Sequence, residues 1–239
     1  MHPSIIEGTS HLDWTLAIKR NREQLKDIVL TLFTLAKMRV GGSLFTLPRS
    51  TLAAIMLVLR PAESAVRRLI VIAAHGLSMK PKPPRDFVIL GHWPEDPVST
   101  MPDGIVRPRA FKLFDPLKSF DPESIWDNDH VTYESAYGFI SNISHDTSLD
   151  HQPVDATHIG QRLNALMRAL DNIPRQARRL MRWQTKRDAA LKAHRPTRIF
   201  PMRPGLPPGW RERRIHEIDT VLRECHGLAN DLLNAPNTS

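Results

Sequence analysis

The sequence predicts a mainly α protein: a helical, bundle-like core interrupted by a long proline-rich and acidic connection that holds at most short strands. Three observations predict it. The stretch Pro48–Leu77 (PRSTLAAIMLVLRPAESAVRRLIVIAAHGL) is apolar almost all round a helix. Residues 10–38 and 155–234 repeat apolar side chains at helical intervals. Residues 78–122 contain nine of the chain's 20 prolines, and proline fixes φ and supplies no donor, so no long helix fits there.

Ser10 and Asp13 have capping-box-like spacing. Trp14, Ile18, Leu25, Ile28, Leu32 and Leu35 then mark one helix face up to Met38, and Gly41–Gly42 is expected to end that helix. In the next stretch Leu52–Leu59 and Leu69–Ala74 are unbroken apolar runs. Ser50 is expected to cap it and Gly76 to end it, as one helix or as two meeting at Pro61. The charges between those runs are Arg60, Glu63, Arg67 and Arg68, read as a single wet edge. A membrane span fails on arithmetic, because spans need about 20 uncharged residues. Each arginine near the bilayer centre costs roughly 2.5–3.5 kcal/mol. No membrane role is expected.

Within 78–122, Phe87–Leu90 and Phe111–Phe114 are candidate short extended pieces. Phe114–Asp115–Pro116 recurs as Phe120–Asp121–Pro122, and Asp before Pro commonly starts a turn. The expectation is a connection with Phe111, Phe114 and Phe120 pinned into grooves of the core, and the functional alternative is a partner-docking motif. Residues 123–158 are acidic and rich in histidine. Asp155 is expected to cap a long helix carrying Ile159, Leu163, Leu166, Leu170, Ile173, Ala177 and Leu180, which fades near Lys192. Pro174 either kinks it or opens a second helix capped by Asn172. His194–Gly209 is a proline elbow, and the last helix is expected from about Trp210 with Ile215, Ile218, Leu222, Cys225 and Leu228 inward. The expected organisation is therefore an N-terminal helical part (1–77), a connecting segment (78–154) and a C-terminal basic hairpin (155–239) packing on 10–77 as one domain.

Charge is distributed unevenly along the chain. Residues 162–214 hold 15 Lys+Arg against 3 Asp+Glu, whereas residues 115–158 hold 1 against 9. The basic arm places Arg175, Arg179, Arg182 and Lys186 on one helix face. Arg178 and Arg187 flank that face, and Trp183 is within stacking reach of Arg179 and Arg187. Arg211, Arg213 and Arg214 extend the field. Such a face suits nucleic acid or another polyanion, since phosphate contacts scale with Lys and Arg number. No helix-turn-helix, zinc-finger, RNP or KH signature accompanies it, and the acidic middle is available as an internal counter-charge. A protein–protein adaptor docking through the Phe-Asp-Pro segments or the arm is the alternative.

A metal-dependent enzyme is the third reading. His130, His145, His151 and His158 stand among Asp127, Asp129, Asp146, Asp150 and Asp155, which are the right ligand types in no recognised spacing. The lone Cys225 excludes an internal disulfide, falls on an inner helix face as an inert thiol, and fits a reducing compartment. The N-terminus lacks a signal-peptide pattern, so a cytoplasmic location is expected. G-x-S-x-G, P-loop and GxGxxG motifs are absent, and no cofactor is expected. The sequence thus favours a non-enzymatic helical protein whose arm contacts nucleic acid.

Overall fold

The computed structural model describes residues 14–75, 77, 109–116 and 153–234. These form α1 (Trp14–Leu35), β1 (Thr46–Pro48), α2 (Arg49–His75), β2 (Pro153–Asp155), α3 (Thr157–Asp171), α4 (Ile173–Lys192) and α5 (Glu217–Asn234). The mainly α expectation holds. Each of the other described helices packs on α2. Every residue of α2 from Ser64 to Ile72 is buried, as a helix apolar on all sides requires.

Helix α2 is continuous through Pro61. It starts at Arg49, so Ser50 lies inside the first turn, and Gly76 falls outside the described residues. An internal proline strips the carbonyl four residues back of its helical donor. That carbonyl belongs to Leu57, and Arg211 Nη2 donates to it. Asp219 holds Arg211 in place at 3.0 Å. Gly209 lies against the proline itself. It has φ +80°, and a Cβ there would come within 2.7 Å of Pro61 N. The proline elbow is therefore keyed to the one place where the helix ladder is broken.

Helix α1 buries Leu25, Ile28, Val29, Leu32 and Phe33 along one stripe. It ends before the glycines expected to stop it. Lys37 takes the left-handed conformation (φ 50°), its N–H donates to Thr34 O at 3.0 Å, and Met38 N–H donates to Phe33 O at 3.0 Å. This is a Schellman closure, with Met38 and Phe33 both buried across it. A three-residue antiparallel pair follows, joining Thr46 to Asp155 and Leu47 to Val154, with Pro48 facing Pro153. Two facing prolines have no N–H to continue the ladder, so the pair stops there. Asp155 Oδ1 then accepts from Thr157 N–H at 2.9 Å and opens α3. At Gly160 α3 meets the loop before β1, and a Cβ would stand 2.7 Å from Leu44 Cβ.

Of the two readings of Pro174, the second is observed. Asn172 Oδ1 accepts from Arg175 N–H at 3.1 Å, and Pro174 sits in the first turn of α4. Arg22 closes the end of α3, donating to Leu170 O at 2.6 Å and Asp171 O at 3.0 Å. Helix α5 starts later than expected, at Glu217 rather than near Trp210. Its start is set by a reciprocal box: Asp219 Oδ2 accepts from His216 N–H at 3.1 Å, and His216 Nδ1 accepts from Ile218 N–H at 3.2 Å. Residues 109–116 run irregularly along the core, not as a strand, with Phe111 and Leu113 buried and Phe114 half-buried. Phe87–Leu90 and Phe120 lie outside the described residues.

The seat of the elbow is tested by two alanine substitutions. Gly205 and Gly209 both have positive φ, +79° and +80°, but only Gly209 has a neighbour within 4 Å. Gly205→Ala should cost about 1–2 kcal/mol of unfolding free energy, the left-handed penalty alone. Gly209→Ala should cost clearly more, because Pro61 must also shift. Equal shifts in urea midpoint would show that the elbow does not rest on Pro61.

Candidate nucleic-acid interface and the ion cluster beneath it

Helix α4 turns Ile173, Ala177 and Leu180 into the core. The opposite side carries Arg175, Arg178, Arg182 and Lys186, all exposed. Among the described residues, Arg178 and Arg182 donate to carbonyls of their own helix, Pro174 O and Arg178 O. None of the four pairs with a carboxylate among the described residues. Arg213 and Arg214 are exposed in the segment before α5.

The remaining residues of the expected arm are engaged within the molecule. Arg179 donates to Phe111 O at 2.7 Å, binding α4 to the 109–116 segment. Trp183 meets Phe114 edge to face at 4.8 Å between centroids. Arg187 lies 5.4 Å from the Trp183 ring, donates to Ile199 O at 2.7 Å, and pairs with Asp188. Arg211 fills the gap left by Pro61. Sequence periodicity placed Arg179, Trp183 and Arg187 on the right helix, whereas Arg211 precedes α5 instead of lying in it, and periodicity could not separate cations that hold loops from cations that face solvent.

Beneath α4 lies a buried ion cluster that corrects the wet-edge reading of α2 at Arg67 and Arg68, while Arg60 is exposed as expected. Arg68 and Asp115 are fully buried and Arg67 is 5% exposed. Asp115 Oδ2 accepts from Arg68 Nη2 at 3.0 Å and from Arg203 N–H at 3.2 Å. Its Oδ1 accepts from Arg67 Nη1 at 3.3 Å, and its own N–H donates to Pro201 O at 3.0 Å. Arg68 Nη1 also donates to Ser64 O and Ser64 Oγ, at 2.9 and 2.8 Å. Burial pulls the Arg68 guanidinium below the ordinary arginine value, and the Asp115 carboxylate opposes that shift. The physical reason for the difference is a partner 47 residues away: an arginine on an apolar helix can be buried once a carboxylate reaches it. The first Phe-Asp-Pro segment is thus a structural clasp, and the second, Phe120–Asp121–Pro122, lies outside the described residues.

Arg67 also links this cluster to a cavity of about 270 Å³ between α2, α3 and residues 109–116. Its Nη2 donates to Glu63 Oε2 at 3.3 Å. Arg162 grips the same carboxylate with Nε at 2.9 Å and Nη2 at 3.0 Å. Arg109, Lys112 and His158 complete the polar lining, and Phe111 and Phe114 the apolar part. Desolvation, then Arg109, Arg162 and Lys112, hold the His158 ring below the ordinary histidine range, so it is neutral near pH 7. Of these cavity residues only His158 stood out in the sequence as a candidate ligand, because Arg67, Arg109, Lys112 and Arg162 share no spacing pattern.

Of the expected metal ligands, only Asp155 and His158 are among the described residues. Asp155 is not the N-cap expected of it, since Ala156 takes that position, but its Oδ1 accepts from Thr157 N–H, and no group of three ligand side chains occurs among the described residues. Cys225 is fully buried, and burial pushes its thiol up, away from reactivity. No helix among the described residues is long and apolar enough to cross a membrane. The chain matches no protein-family model, no curated protein and no solved structure.

Two measurements probe the cluster. Asp115→Ala should lower unfolding free energy by about 3–5 kcal/mol, because it leaves buried guanidinium charge uncompensated. A drop below about 1 kcal/mol in denaturant melts would mean the carboxylate is not the clasp. The second measurement is pH. His226 Nδ1 faces Arg68 Nε at 3.4 Å, so the ring accepts only when neutral. Burial, then Arg68, hold it below the ordinary histidine value, against Asp115. A depressed folded pKa contributes stability above the unfolded value of about 6.5, which is lost as pH falls through the folded pKa. Stability should therefore fall as pH drops below about 6.5, and His226→Gln should flatten that slope. A slope unchanged by the substitution would assign the titration to another group.

Proposed function

We propose that the chain is a non-enzymatic helical protein that contacts nucleic acid or another polyanion through the outer face of α4. One observation carries this reading: Arg175, Arg178, Arg182 and Lys186 line the solvent side of a single helix, unpaired with carboxylates among the described residues. At 1.5 Å per residue they span about 16 Å, against a duplex carrying one charge per about 1.7 Å of axis. Their guanidinium forks suit phosphate oxygens. The inner face of the helix fixes their register, because Ile173, Ala177 and Leu180 are in the core.

A protein partner is the second reading, and the elbow favours it. Ile199, Phe200 and Leu206 are 54%, 60% and 55% exposed beside the arginines, more apolar surface than phosphate binding needs. Salt separates the two readings, since apolar docking responds weakly to ionic strength and counterion release responds steeply.

The triple variant Arg175→Gln, Arg178→Gln, Arg182→Gln should keep the wild-type melting temperature and bind DNA and RNA more weakly. The slope of log K against log salt should flatten by roughly 0.7–0.9 for each phosphate that is no longer neutralised. Wild-type protein that is not retained on DNA or RNA at low salt, where electrostatic attraction is strongest, would sink the nucleic-acid reading. A partner captured through Phe200 and insensitive to salt would replace it.

A further inference from the structure

The cavity between α2, α3 and residues 109–116 has a charge imbalance that its own residues do not settle. Its floor is the Glu63 carboxylate, already held by two donors of Arg162 and one of Arg67. Arg67 and Arg68 share the one carboxylate of Asp115 behind it. Arg109 and Lys112 stand on the rim, and neither side chain bonds another group among the described residues. Among the groups that line the cavity, four cations (Arg67, Arg109, Lys112 and Arg162) face one carboxylate (Glu63), and the Asp115 carboxylate behind them is shared with the buried Arg68. Three positive charges are left around one concave space. A cleft lined by one sign of charge over a low-dielectric floor focuses the field and concentrates the opposite ion.

We infer that this cavity binds a small, multiply charged oxyanion, gripped by Arg109 and Lys112 over the Glu63–Arg162 floor. The size selects the ligand class. About 270 Å³ lies just below the range of sites for drug-sized molecules, so the guest is a compact phosphate- or carboxylate-bearing molecule. The architecture suits recognition. Arg162 and Arg67 are locked by Glu63 and Asp115, so the floor is preorganised, whereas the two rim cations use no side-chain donor on another described residue. The Phe111 and Phe114 rings supply an apolar wall on one side. This site is separate from the α4 face, whose cations do not line the cavity.

The test uses the full chain and calorimetric titration with sodium sulfate, sodium phosphate and sodium citrate, each against sodium chloride at matched ionic strength. Saturable binding of at least one of the three is expected. Preference for phosphate and sulfate over citrate assigns a phosphate-type guest, and the reverse order a polycarboxylate. Arg109→Gln with Lys112→Gln should melt like wild type and bind about ten-fold or more weakly. The α4 triple variant should bind these anions as wild type does, whatever becomes of its nucleic-acid affinity. Three results overturn the site: no saturable binding in wild type, binding undiminished in the rim double variant, or binding abolished in the α4 variant. Stabilisation by sulfate that persists in the rim variant is surface exclusion of the salt and counts against the site.

Discussion

The structure depends on one buried carboxylate. Asp115 reaches the buried face of α2 and pairs with both Arg67 and Arg68 there. Without it α2 would carry guanidinium charge in the core, at a cost of several kcal/mol per ion. With it, three separate parts of the chain are tied together. The 109–116 segment brings the carboxylate, α2 supplies the arginines, and the elbow contributes Arg203 N–H and Pro201 O. The geometry satisfies most of the donors on Arg68, including those facing Ser64 and His226, which is the condition under which a buried ion pair is tolerable. Such a pair gives little net stability over a well-packed apolar core. Its consequence is to hold these three segments against one another, because Asp115 must reach both arginines of α2 and the backbone of the elbow at once.

The same logic explains why a chain with 20 prolines carries so many arginines. Proline and irregular backbone leave carbonyl groups without N–H partners, and buried acceptors must find donors. Each guanidinium offers five. Arg211 answers the Leu57 carbonyl freed by Pro61, and Arg179 answers Phe111. Arg198 donates to Phe200 and Pro201, Arg203 to Leu206, and Arg223 to Arg211 and Glu212. Two of them also stack, Arg198 over Phe114 at 5.3 Å and Arg223 over Trp210 at 4.5 Å. Lysine could not substitute, since one ammonium lacks both the planar fork and the ring contact.

This division of labour among the arginines decides what was legible in the sequence. The helices were, because burial repeats every three or four residues: Leu25, Ile28, Val29 and Leu32 in α1, Leu163, Leu166 and Leu170 in α3. The Asn172–Pro174 start of α4 was legible as one of two readings, because a proline after an asparagine marks a kink or a new helix equally well from local signal alone. What failed was anything needing a distant partner. Arg67 and Arg68 look like a polar edge until Asp115 is seen against them. The start of α5 was placed near Trp210 because Ile215 and Ile218 fit the inner stripe, while the stop comes from the Pro61 contact at Gly209 and the Asp219–His216 box. The end of α1 was assigned to glycines, whereas Lys37 takes the left-handed position, its strain offset by burying Met38 against Phe33.

The candidate sites follow from the same separation of loop-holding cations from solvent-facing ones. A guanidinium bonded to a carbonyl has used its donors but kept its charge. Arg179, Arg187, Arg198 and Arg211 therefore still contribute to the field that draws an anion toward this side of the molecule, although they hold loops rather than ligands. Attraction at a distance is the work of the whole arm. In the proposed reading, contact at short range falls to the cations that pair with no carboxylate among the described residues: Arg175, Arg178, Arg182 and Lys186 on the convex helix, and Arg109 and Lys112 above the cavity. The shapes of the two places differ as their charges do not. A convex helix face suits an extended chain of phosphates, and a concave cavity floored by a locked carboxylate suits something small. On the proposed reading, shape thereby divides one excess of positive charge into two distinct kinds of anion recognition.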